Sequence, residues 1–304
     1  MKNTIVIIFF LFASINAFAQ NDALFTQQWI SRINQNPAAT GNSNDIDVFL
    51  LARQQWVGFE GAPQTQLLNI HNYFYSIQSG MGLTFLRDET GVGNKLLNAK
   101  LSYAYHVNLG IDWLLSLGLS GGIIQKTFDP FKHFYINEND PQLINLEKIN
   151  TLKPDFDFGF ELSSDKFLLG ASITHITYLP YNSSSMKISQ QYFGYMRYIH
   201  PLSNSFDMIA GVRTTNFDEA FFADFSLTGM LLKKYWIGAM YRPKNAVAGM
   251  LGMNIGFVRV GYSYDYSTGK TASLAKSSHE IMVSLKIAKK PNTIKTKSPR
   301  FIEN

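Results

Sequence analysis

The chain has 304 residues, no cysteine, a formal net charge of +5, 16% charged residues and 14% aromatic residues. A charged fraction well below the quarter or so that is usual in soluble domains argues against a water-soluble globule, and the lack of cysteine excludes a disulfide-built one. Much of the positive charge lies near the C-terminus, in Lys286, Lys289, Lys290, Lys295, Lys297 and Arg300. Because the rest of the chain is close to neutral and offers no basic face, we predict no nucleic-acid partner.

The N-terminus has the pattern of a secretory signal peptide. Lys2 supplies the positive start, residues 5–12 supply the apolar core, and Ala17-Phe18-Ala19 supplies the cleavage site before Gln20. A membrane anchor is the alternative, but the apolar run is short for a span and ends in a cleavage pattern. No later run approaches the roughly eighteen apolar residues of a transmembrane helix, so we expect an exported chain without one.

Period-two alternation dominates the sequence after Asp45 and predicts β-strands rather than helices. In residues 97–107, leucine, alanine and tyrosine share one face, and mainly polar residues such as Lys100 and His106 share the other. About fourteen such segments lie near residues 46–54, 65–75, 80–87, 96–107, 112–126, 154–163, 166–175, 190–199, 205–215, 219–229, 235–242, 246–256, 258–267 and 279–288. Most approach the length of about ten residues with which a tilted strand crosses a bilayer. The sequence therefore predicts an all-β fold, a transmembrane outer-membrane β-barrel of about 14 antiparallel strands.

The predicted connections divide into long and short ones. The three longest, at residues 127–153, 176–189 and 267–278, all follow odd-numbered strands and so lie at one end of the barrel. Outer-membrane barrels have long extracellular loops and short periplasmic turns, whereas a β-sandwich has no reason to sort its loops in this way. We therefore expect the long loops outside the cell and, because the strand number is even, both termini in the periplasm.

The strand face opposite the lipid is rich in glycine and in charges of both signs. The predicted lumen charges are Lys100, Asp155, Asp157, Glu161, Asp207, Arg213, Asp224, Arg242, Arg259, Asp265 and Glu280. Two interpretations are open: a wet lumen whose charges pair with one another, or a lumen filled by residues 20–44 or 127–153. The predicted organisation is a signal peptide (1–19), a periplasmic or lumen-inserted segment (20–45), the barrel (46–288) and a basic periplasmic tail (289–304).

No residue pattern predicts catalysis, a cofactor or a metal site. The six histidines are scattered without metal-ligand spacing, and a Gly-x-Ser-x-Gly motif is absent. His106 and Ser102 share a strand face, but a polar pair facing the lumen explains them better than a hydrolase site. Asp155 and Asp157 lie about 7 Å apart along one strand and fit acid–base chemistry or a solvated face equally well. Residues 137–140 lack the glycine and the closing glutamate of a calcium loop. We predict a non-enzymatic protein.

Residues 24–65 differ from the strand repeats that follow them. In order they contain Phe25-Thr26-Gln27, Asn36-Pro37-Ala38, Gly41, Arg53-x-Gln55-Trp56-x-Gly58 and Gly61-Ala62-Pro63-x-Thr65. This series resembles the PorP/SprF proteins, which are outer-membrane barrels of the type IX secretion and gliding system of Bacteroidota. The resemblance continues to the closing Gly261-Tyr262-Ser263-Tyr264-Asp265-Tyr266.

The resemblance implies a non-enzymatic barrel in the outer membrane that assists the secretion and surface anchoring of a partner protein or adhesin. Its partners would be outer-membrane lipid and either a secreted substrate or a component of the type IX machinery. The family-motif residues that are candidates for partner contact are Asn36, Pro37, Arg53, Gln55, Trp56, Gly58, Gly61 and Pro63. Trp56 fits a partner contact or an aromatic girdle at the lipid interface. An uptake pore for small solutes, without a protein partner, is the alternative function.

Overall fold

The structure, a computed structural model, describes residues 24–132, 147–176, 188–217, 220–269 and 277–289. The predicted signal peptide, the polar residues 137–140 and nearly all of the predicted C-terminal tail lie outside these described residues.

Fourteen antiparallel strands close into one barrel, in which each strand pairs with its neighbours in sequence and β14 pairs with β1. The strands are β1 (Ile46–Gln54), β2 (Gln64–Phe74), β3 (Ser79–Thr90), β4 (Asn94–Leu109), β5 (Trp113–Phe128), β6 (Ile149–Ser163), β7 (Phe167–Thr174), β8 (Gln191–Ser203), β9 (Phe206–Phe217), β10 (Ala220–Leu231), β11 (Tyr235–Arg242), β12 (Ala246–Ile255), β13 (Val258–Ser267) and β14 (Ser277–Ile287). The predicted fold class and strand number are confirmed.

Helical structure is confined to three short 3-10 turns, at Pro37–Ala39, Tyr75–Ile77 and Pro130–Lys132, among the described residues. None of the helices in this part of the chain is long and apolar enough to cross a membrane.

The alternation in the sequence corresponds to the two faces of the barrel wall. On β4, Tyr103 and Tyr105 are each 43% exposed on the outside, whereas Ala104 and His106 are buried inside. Successive side chains of a strand point to opposite faces, so an apolar and aromatic face meets the lipid and a largely polar face encloses the lumen.

The connections differ in length between the two ends of the barrel. At one end the chain turns within a few residues, for example between Leu109 and Trp113 or between Ile255 and Val258. At the other end lie the two longest connections, which follow β5 and β7 as predicted, and the connections after β13 and β1, which are equal in length to each other. We call these the short-turn end and the long-loop end. The long-loop end is the extracellular one in barrels of this kind.

Strand β6 begins at Ile149, earlier than the predicted start at Pro154. The alternation that predicts this strand begins at Pro154, a residue that lacks a backbone N–H and is uncommon in the middle of a sheet. In the structure Pro154 lies opposite Ile123 of β5, and the ladder continues to Ile149 opposite Phe128. Strands β4 and β5 have 16 residues each, whereas β7 and β11 have eight. This side of the barrel therefore rises further at the long-loop end.

Residues 24–44 lie inside the barrel, and we call them the plug. Nearly all residues from Phe25 to Ser43 are buried, and successive backbone hydrogen bonds fold them into turns. The plug starts beside Arg53 and Glu280, near the long-loop end, and leaves the lumen at the short-turn end, where β1 begins at Ile46. The lumen is therefore filled by this segment rather than occupied by water, and the charged side chains around the segment are buried.

The plug and the wall share an apolar core as well as polar contacts. Phe25 and Ile30 of the plug are buried against the inner face of the neighbouring strands. The wall residues of this cluster are Phe49, Leu51, Leu67, Trp236 and Met282. Burial of apolar side chains from both the plug and the wall stabilises the plug inside the lumen through the hydrophobic effect.

Candidate functional site

The backbone of the plug lies directly against glycines of the barrel wall. A Cβ added to Gly118 would collide with the backbone of Ala38, and one added to Gly80 would collide with the carbonyl of Thr40. Gly159 faces the Asn36 side chain and Gly261 faces Gln27 in the same way. At these four glycines of the inner face the plug approaches the sheet most closely, which agrees with the close backbone approach that a glycine inside a strand often marks.

The first contact of the plug with buried charge is a cluster of Thr26, Arg53, Asp265 and Glu280, which we call the Arg53 cluster. The Arg53 guanidinium lies 2.6 Å from Asp265 Oδ2 and 3.1 Å from Glu280 Oε2. The plug backbone donates to the same glutamate, from Thr26 N at 3.0 Å and Gln27 N at 2.7 Å. Two carboxylates therefore hold one arginine and two plug amides, all in a buried site where such contacts are strong.

The turn at Asn36 and Pro37 is held lower in the lumen. Asn36 is fully buried, caps the 3-10 turn by accepting from Ala38 N at 2.9 Å, and donates to the Phe160 carbonyl at 3.0 Å. Pro37 occupies the first helical position, where its missing N–H costs nothing. The resemblance singled out both residues as family motif. Their place is inside the barrel, away from any surface contact.

An arginine of the plug forms a bidentate pair beside this turn. Arg32 Nε and Nη2 donate to the two Glu161 oxygens at 3.1 and 3.2 Å. Tyr195 of β8 donates its hydroxyl to the same carboxylate at 2.6 Å and accepts from Asn36 Nδ2 at 2.8 Å. Glu161 was predicted as a lumen charge, and the structure makes it the anchor of the plug arginine.

Lys100, Asp155, Asp157 and His175 form a second buried cluster, the Lys100 cluster. Lys100 Nζ lies 2.8 Å from an oxygen of each aspartate, and His175 Nδ1 lies 2.9 Å from Asp155. A solvated face, one of the two open interpretations of the aspartates, is wrong because both are almost fully buried. Their carboxylates and His175 are close enough to ligate a metal, but the lysine ammonium already lies between the carboxylates. Lys100 therefore supplies the cation that this cluster requires.

His106 contacts the plug rather than a catalytic serine. Its Nε2 lies 2.9 Å from the Thr40 carbonyl and its Nδ1 lies 2.7 Å from Ser116 Oγ. Because a carbonyl only accepts, Nε2 carries the proton and Nδ1 accepts from the serine hydroxyl. The pair with Ser102 that the strand pattern suggests does not form; Ser116, on the adjacent strand, takes its place.

Arg213, Asp224 and Arg242 form a third charged group, the Asp224 cluster, on β9, β10 and β11. Arg213 pairs with Asp224 and donates to the Phe25 carbonyl of the plug at 2.8 Å. Arg242 Nε donates to Asp224 at 2.6 Å. One carboxylate thus serves two arginines, and all three predicted lumen charges are brought together.

Two other predicted lumen charges take no part in these clusters. Arg259 is half-buried near the short-turn end and donates from Nε to Asn254 at 2.9 Å. Asp207 lies on the inner face of β9 in the same region and is also only half-buried. The lumen charges therefore divide into those that hold the plug and those near the mouth of the barrel.

A cavity separates the plug from part of the wall. It lies between Thr26, Gln28, Trp29, Arg32 and Gln35 of the plug and the inner face of β7 to β11. The wall side includes Arg197, Arg213, Asp224 and Met240. On this side the plug is reached by long side chains, since Arg197 donates to the Trp29 carbonyl at 3.4 Å.

The connection between β1 and β2 carries the remaining family-motif residues at the long-loop end. Gly58 and Gly61 have φ angles of +93° and +71°, which glycine adopts without strain, and Pro63 is buried. Gln55 and Trp56 are half-buried, and Trp56 N donates to Ser278 Oγ at 3.2 Å.

The exposed apolar residues of this loop lie next to Trp56, which the sequence analysis named as a candidate for partner contact. Val57 is 43% exposed and Phe59 is 47% exposed, whereas Trp56 is half-buried. The sequence analysis missed both, although they alternate with the glycines that turn the loop outward. Val57 and Phe59 are therefore the accessible apolar residues of this loop.

The last described residue of the chain is bound to the short-turn end. Lys289 Nζ donates to the Tyr73 carbonyl at 2.7 Å and lies 5.5 Å from the centroid of the Tyr75 ring. Partial burial lowers the pKa of Lys289, and nearby Asp45 opposes this shift.

Comparison with known proteins relates this architecture to barrels of several kinds. The sequence profile of a family described as type IX secretion system membrane protein PorP/SprF matches residues 17–285. The Ralstonia pickettii toluene transporter TbuX gives a TM-score of 0.54 at 11% identity, covering 84% of this chain and 93% of that chain. The CymD monoaromatic hydrocarbon channel gives a TM-score of 0.50 at 13% identity, covering 86% and 92%. A search of curated protein sequences finds no match. At these identities the two solved structures share the barrel fold alone.

Proposed function

This chain belongs to the PorP/SprF family of type IX secretion system membrane proteins, and from that premise we propose that it anchors an exported partner protein at the cell surface. It is an outer-membrane barrel, and both its family and its fold point to a non-enzymatic membrane protein. The partner is a secreted substrate, such as an adhesin, or a component of the secretion machinery. We further propose that residues 1–19 are removed on export and that residues 289–304 form a basic tail in the periplasm.

The observation that carries this proposal is the plug. A lumen occupied by buried residues 25–43, with Arg32 of the plug paired to Glu161 of the wall, is a poor conduit for a folded protein. The barrel is therefore suited to holding a partner on its outside or at its mouth. Anchoring also agrees with strands β4 to β6, which rise beyond their neighbours at the long-loop end.

The loop between β1 and β2 offers the partner contact that the described residues support best. Val57 and Phe59 are apolar, exposed and placed on a loop whose glycines present them outward. Exposed aromatic side chains supply much of the binding free energy in protein interfaces. The buried motif residues Asn36, Pro37, Arg53 and Pro63 act indirectly, by fixing the plug and the base of this loop.

The test compares apolar residues at opposite ends of the barrel. We expect Phe59→Ser to reduce co-purification of the cognate exported protein about tenfold, which corresponds to roughly 1.4 kcal/mol. Ile111→Ser is the matched control, because Ile111 is 82% exposed in the β4–β5 turn at the short-turn end. The measurement is the amount of partner on whole cells and in pull-downs, normalised to the abundance of the barrel.

Two results would contradict the proposal. Equal losses of partner in both variants would show that general surface apolarity, rather than the loop, matters. A fall in barrel abundance that parallels the loss of partner would make Phe59 a structural residue.

A channel for small solutes is the second candidate function, favoured by the cavity between the plug and β7 to β11. A solute path along this side predicts steady ion conductance in planar bilayers, whereas an anchor with a tightly held plug predicts little conductance and a co-purifying partner.

A further inference from the structure

One peptide group near the end of the plug, between Thr40 and Gly41, is held by two histidines of the wall. His106 of β4 contacts the Thr40 carbonyl at 2.9 Å, and Gly41 N donates to Nδ1 of His71 on β2 at 3.3 Å. Both imidazoles are almost fully buried on the inner face of the barrel. The two polar ends of a single peptide group are therefore bound by two titratable side chains.

The two histidines bind this peptide group with opposite polarity. A backbone N–H only donates, so His71 Nδ1 carries no proton, whereas His106 Nε2 carries one and donates to the carbonyl. A second proton on His106 would enter at Nδ1, where the Ser116 hydroxyl at 2.7 Å can turn and accept it. A second proton on His71 would enter at Nδ1 and point at the Gly41 N–H. Protonation therefore breaks the contact of His71 with the plug and preserves that of His106.

The peptide group has no room to move away from a protonated His71. A Cβ added to Gly41 would collide with Gly80 of β3, and one added to Gly80 would collide with the Thr40 carbonyl, so plug and strand are in direct backbone contact here. Because the peptide bond is planar, turning its N–H away from His71 would also turn its carbonyl away from His106. Relief of the repulsion requires this part of the plug to leave its place.

A carboxylate lies next to His71 on the neighbouring strand. Asp47 of β1 is directly opposite His71 in the register, and both side chains are buried on the inner face. Side chains directly opposite in an antiparallel pair have Cβ atoms about 4.5–5.5 Å apart. Asp47 accepts from Ser284 Oγ at 3.0 Å, and Lys286 of β14 is opposite it on the other side. Asp47 is thus placed to stabilise an imidazolium at His71.

The other elements around His71 bring few charged groups. β3 places a glycine opposite it. On β2 itself Tyr73 is the next inner-face residue, and its carbonyl accepts from Lys289 Nζ at 2.7 Å. His106 lies on the far side of the peptide group, and Glu161 is the carboxylate whose charge acts on His106. Asp47 is therefore the carboxylate that acts on His71 most directly.

From this geometry we propose that His71 and the Thr40–Gly41 peptide group form a proton-operated latch, which holds the end of the plug at neutral pH and releases it in acid. The neutral imidazole makes the contact, and the imidazolium cannot. Imidazoles ordinarily titrate near pH 6.5, so the contact stabilises the plug above about this pH and is lost as the pH falls through it. The latch regulates the plug and does not depend on the anchoring function.

The test measures how readily a thiol at the latch is reached at different pH values. The chain has no cysteine, and Thr40→Cys removes no hydrogen bond among the described residues, since Thr40 Oγ1 has no partner there. The full-length protein in lipid nanodiscs is labelled with 4,4′-dithiodipyridine. Each rate is divided by that of Ile111→Cys, at a site that is 82% exposed, to remove the effect of pH on the thiol itself. We expect this ratio to rise at least tenfold between pH 8 and pH 5.

Two variants in the Thr40→Cys background separate the histidines by the atoms that they keep. His71→Asn retains an acceptor at the same number of bonds from Cβ as Nδ1 but takes up no proton, so the ratio should be equal at pH 8 and pH 5. His106→Gln retains a donor at the same number of bonds from Cβ as Nε2, so the rise in acid should remain.

A third variant, Asp47→Asn, tests the latch with both histidines in place. The amide still accepts from Ser284 but carries no charge, so the imidazolium at His71 loses stabilisation and the midpoint of the rise should move to lower pH by about one unit. The proposal is overturned if the Thr40→Cys protein shows no rise in acid, if His71→Asn retains the rise, if His106→Gln abolishes it, or if Asp47→Asn leaves the midpoint unchanged.

Discussion

On the wall formed by β3 to β7, the plug backbone lies close to the strands, at glycines of β3 and β5 and at Ser172 of β7. On the wall formed by β8 to β11, which borders the cavity, long side chains of β8 and β9 reach across to the plug. Gly118 and Gly80 illustrate the first arrangement, because any side chain there would collide with plug backbone. Arg197 and Arg213 illustrate the second, since each spans the space to a plug carbonyl. We call these the plug-contact wall and the cavity wall.

The two arrangements differ in how they respond to change. Close backbone packing leaves no room for adjustment, so even a small added group at such a contact lowers the stability of the protein. Long side chains have several rotamers and can follow a shifted plug. The plug-contact wall therefore fixes the position of the plug, and the cavity wall leaves space for water or a ligand. Matched substitutions on the two sides test this division.

The largest effect is expected at the Arg53 cluster. Arg53→Met removes the cation shared by Asp265 and Glu280 and leaves two carboxylates buried without it. Breaking a buried ion pair in this way costs about 3–5 kcal/mol. The measurement is the urea midpoint of unfolding in lipid vesicles, followed by the gel mobility of the folded barrel.

Arg259→Met is the control for that experiment. Arg259 also faces the lumen side, but it is half-buried and pairs with the neutral Asn254 near the short-turn end. We expect a loss of at most about 1 kcal/mol. Comparable losses in the two variants would mean that lumen arginines stabilise the barrel regardless of the plug.

An intermediate effect is expected from adding a single methyl group. Gly118→Ala forces a Cβ into the backbone of Ala38, which cannot move without disturbing the Pro37–Ala39 turn. Overpacking of this kind costs about 1–3 kcal/mol, and displacement of the plug should raise the conductance of the barrel in planar bilayers.

Gly211→Ala provides the corresponding change on the cavity wall. Its added Cβ would meet Ser226 Oγ, the end of a side chain that can rotate away. We expect near-normal stability and conductance. If Gly211→Ala opened the barrel as much as Gly118→Ala, the plug would be held equally on both sides.

The barrel could be predicted from the sequence because its signal is local. Lipid on one face and polar groups on the other impose an alternation that can be read residue by residue, as at Tyr103, Ala104 and Tyr105. The start of β6 was placed too late at Pro154, because the alternation weakens before this residue although the ladder with β5 continues to Ile149.

The plug could not be placed in the same way, because its position depends on contacts distant in sequence. Thr26 contacts Glu280, and Arg32 contacts Glu161. Neither contact produces a periodic pattern in the sequence from which it could be predicted. One local signal was available on β1, where Phe49 and Leu51 make the inner face apolar. An apolar patch inside a polar lumen indicates a covering segment. The identity of that segment still required the structure.

The smallest expected effect concerns two serines that occupy equivalent inner-face positions. Ser172 on β7 is buried and donates to the plug carbonyl of Gln35 at 2.6 Å, whereas Ser226 on β10 donates to Gly211 within the wall at 3.4 Å. Ser172→Ala leaves a buried plug carbonyl without this donor and should cost about 1 kcal/mol in the free energy of unfolding. Ser226→Ala should stay within about 0.5 kcal/mol, because its long hydrogen bond borders the cavity and water can replace it. The urea midpoints of the two variants, measured side by side in the same vesicles, decide the matter. A larger loss for Ser226→Ala would reverse the assignment of the two walls.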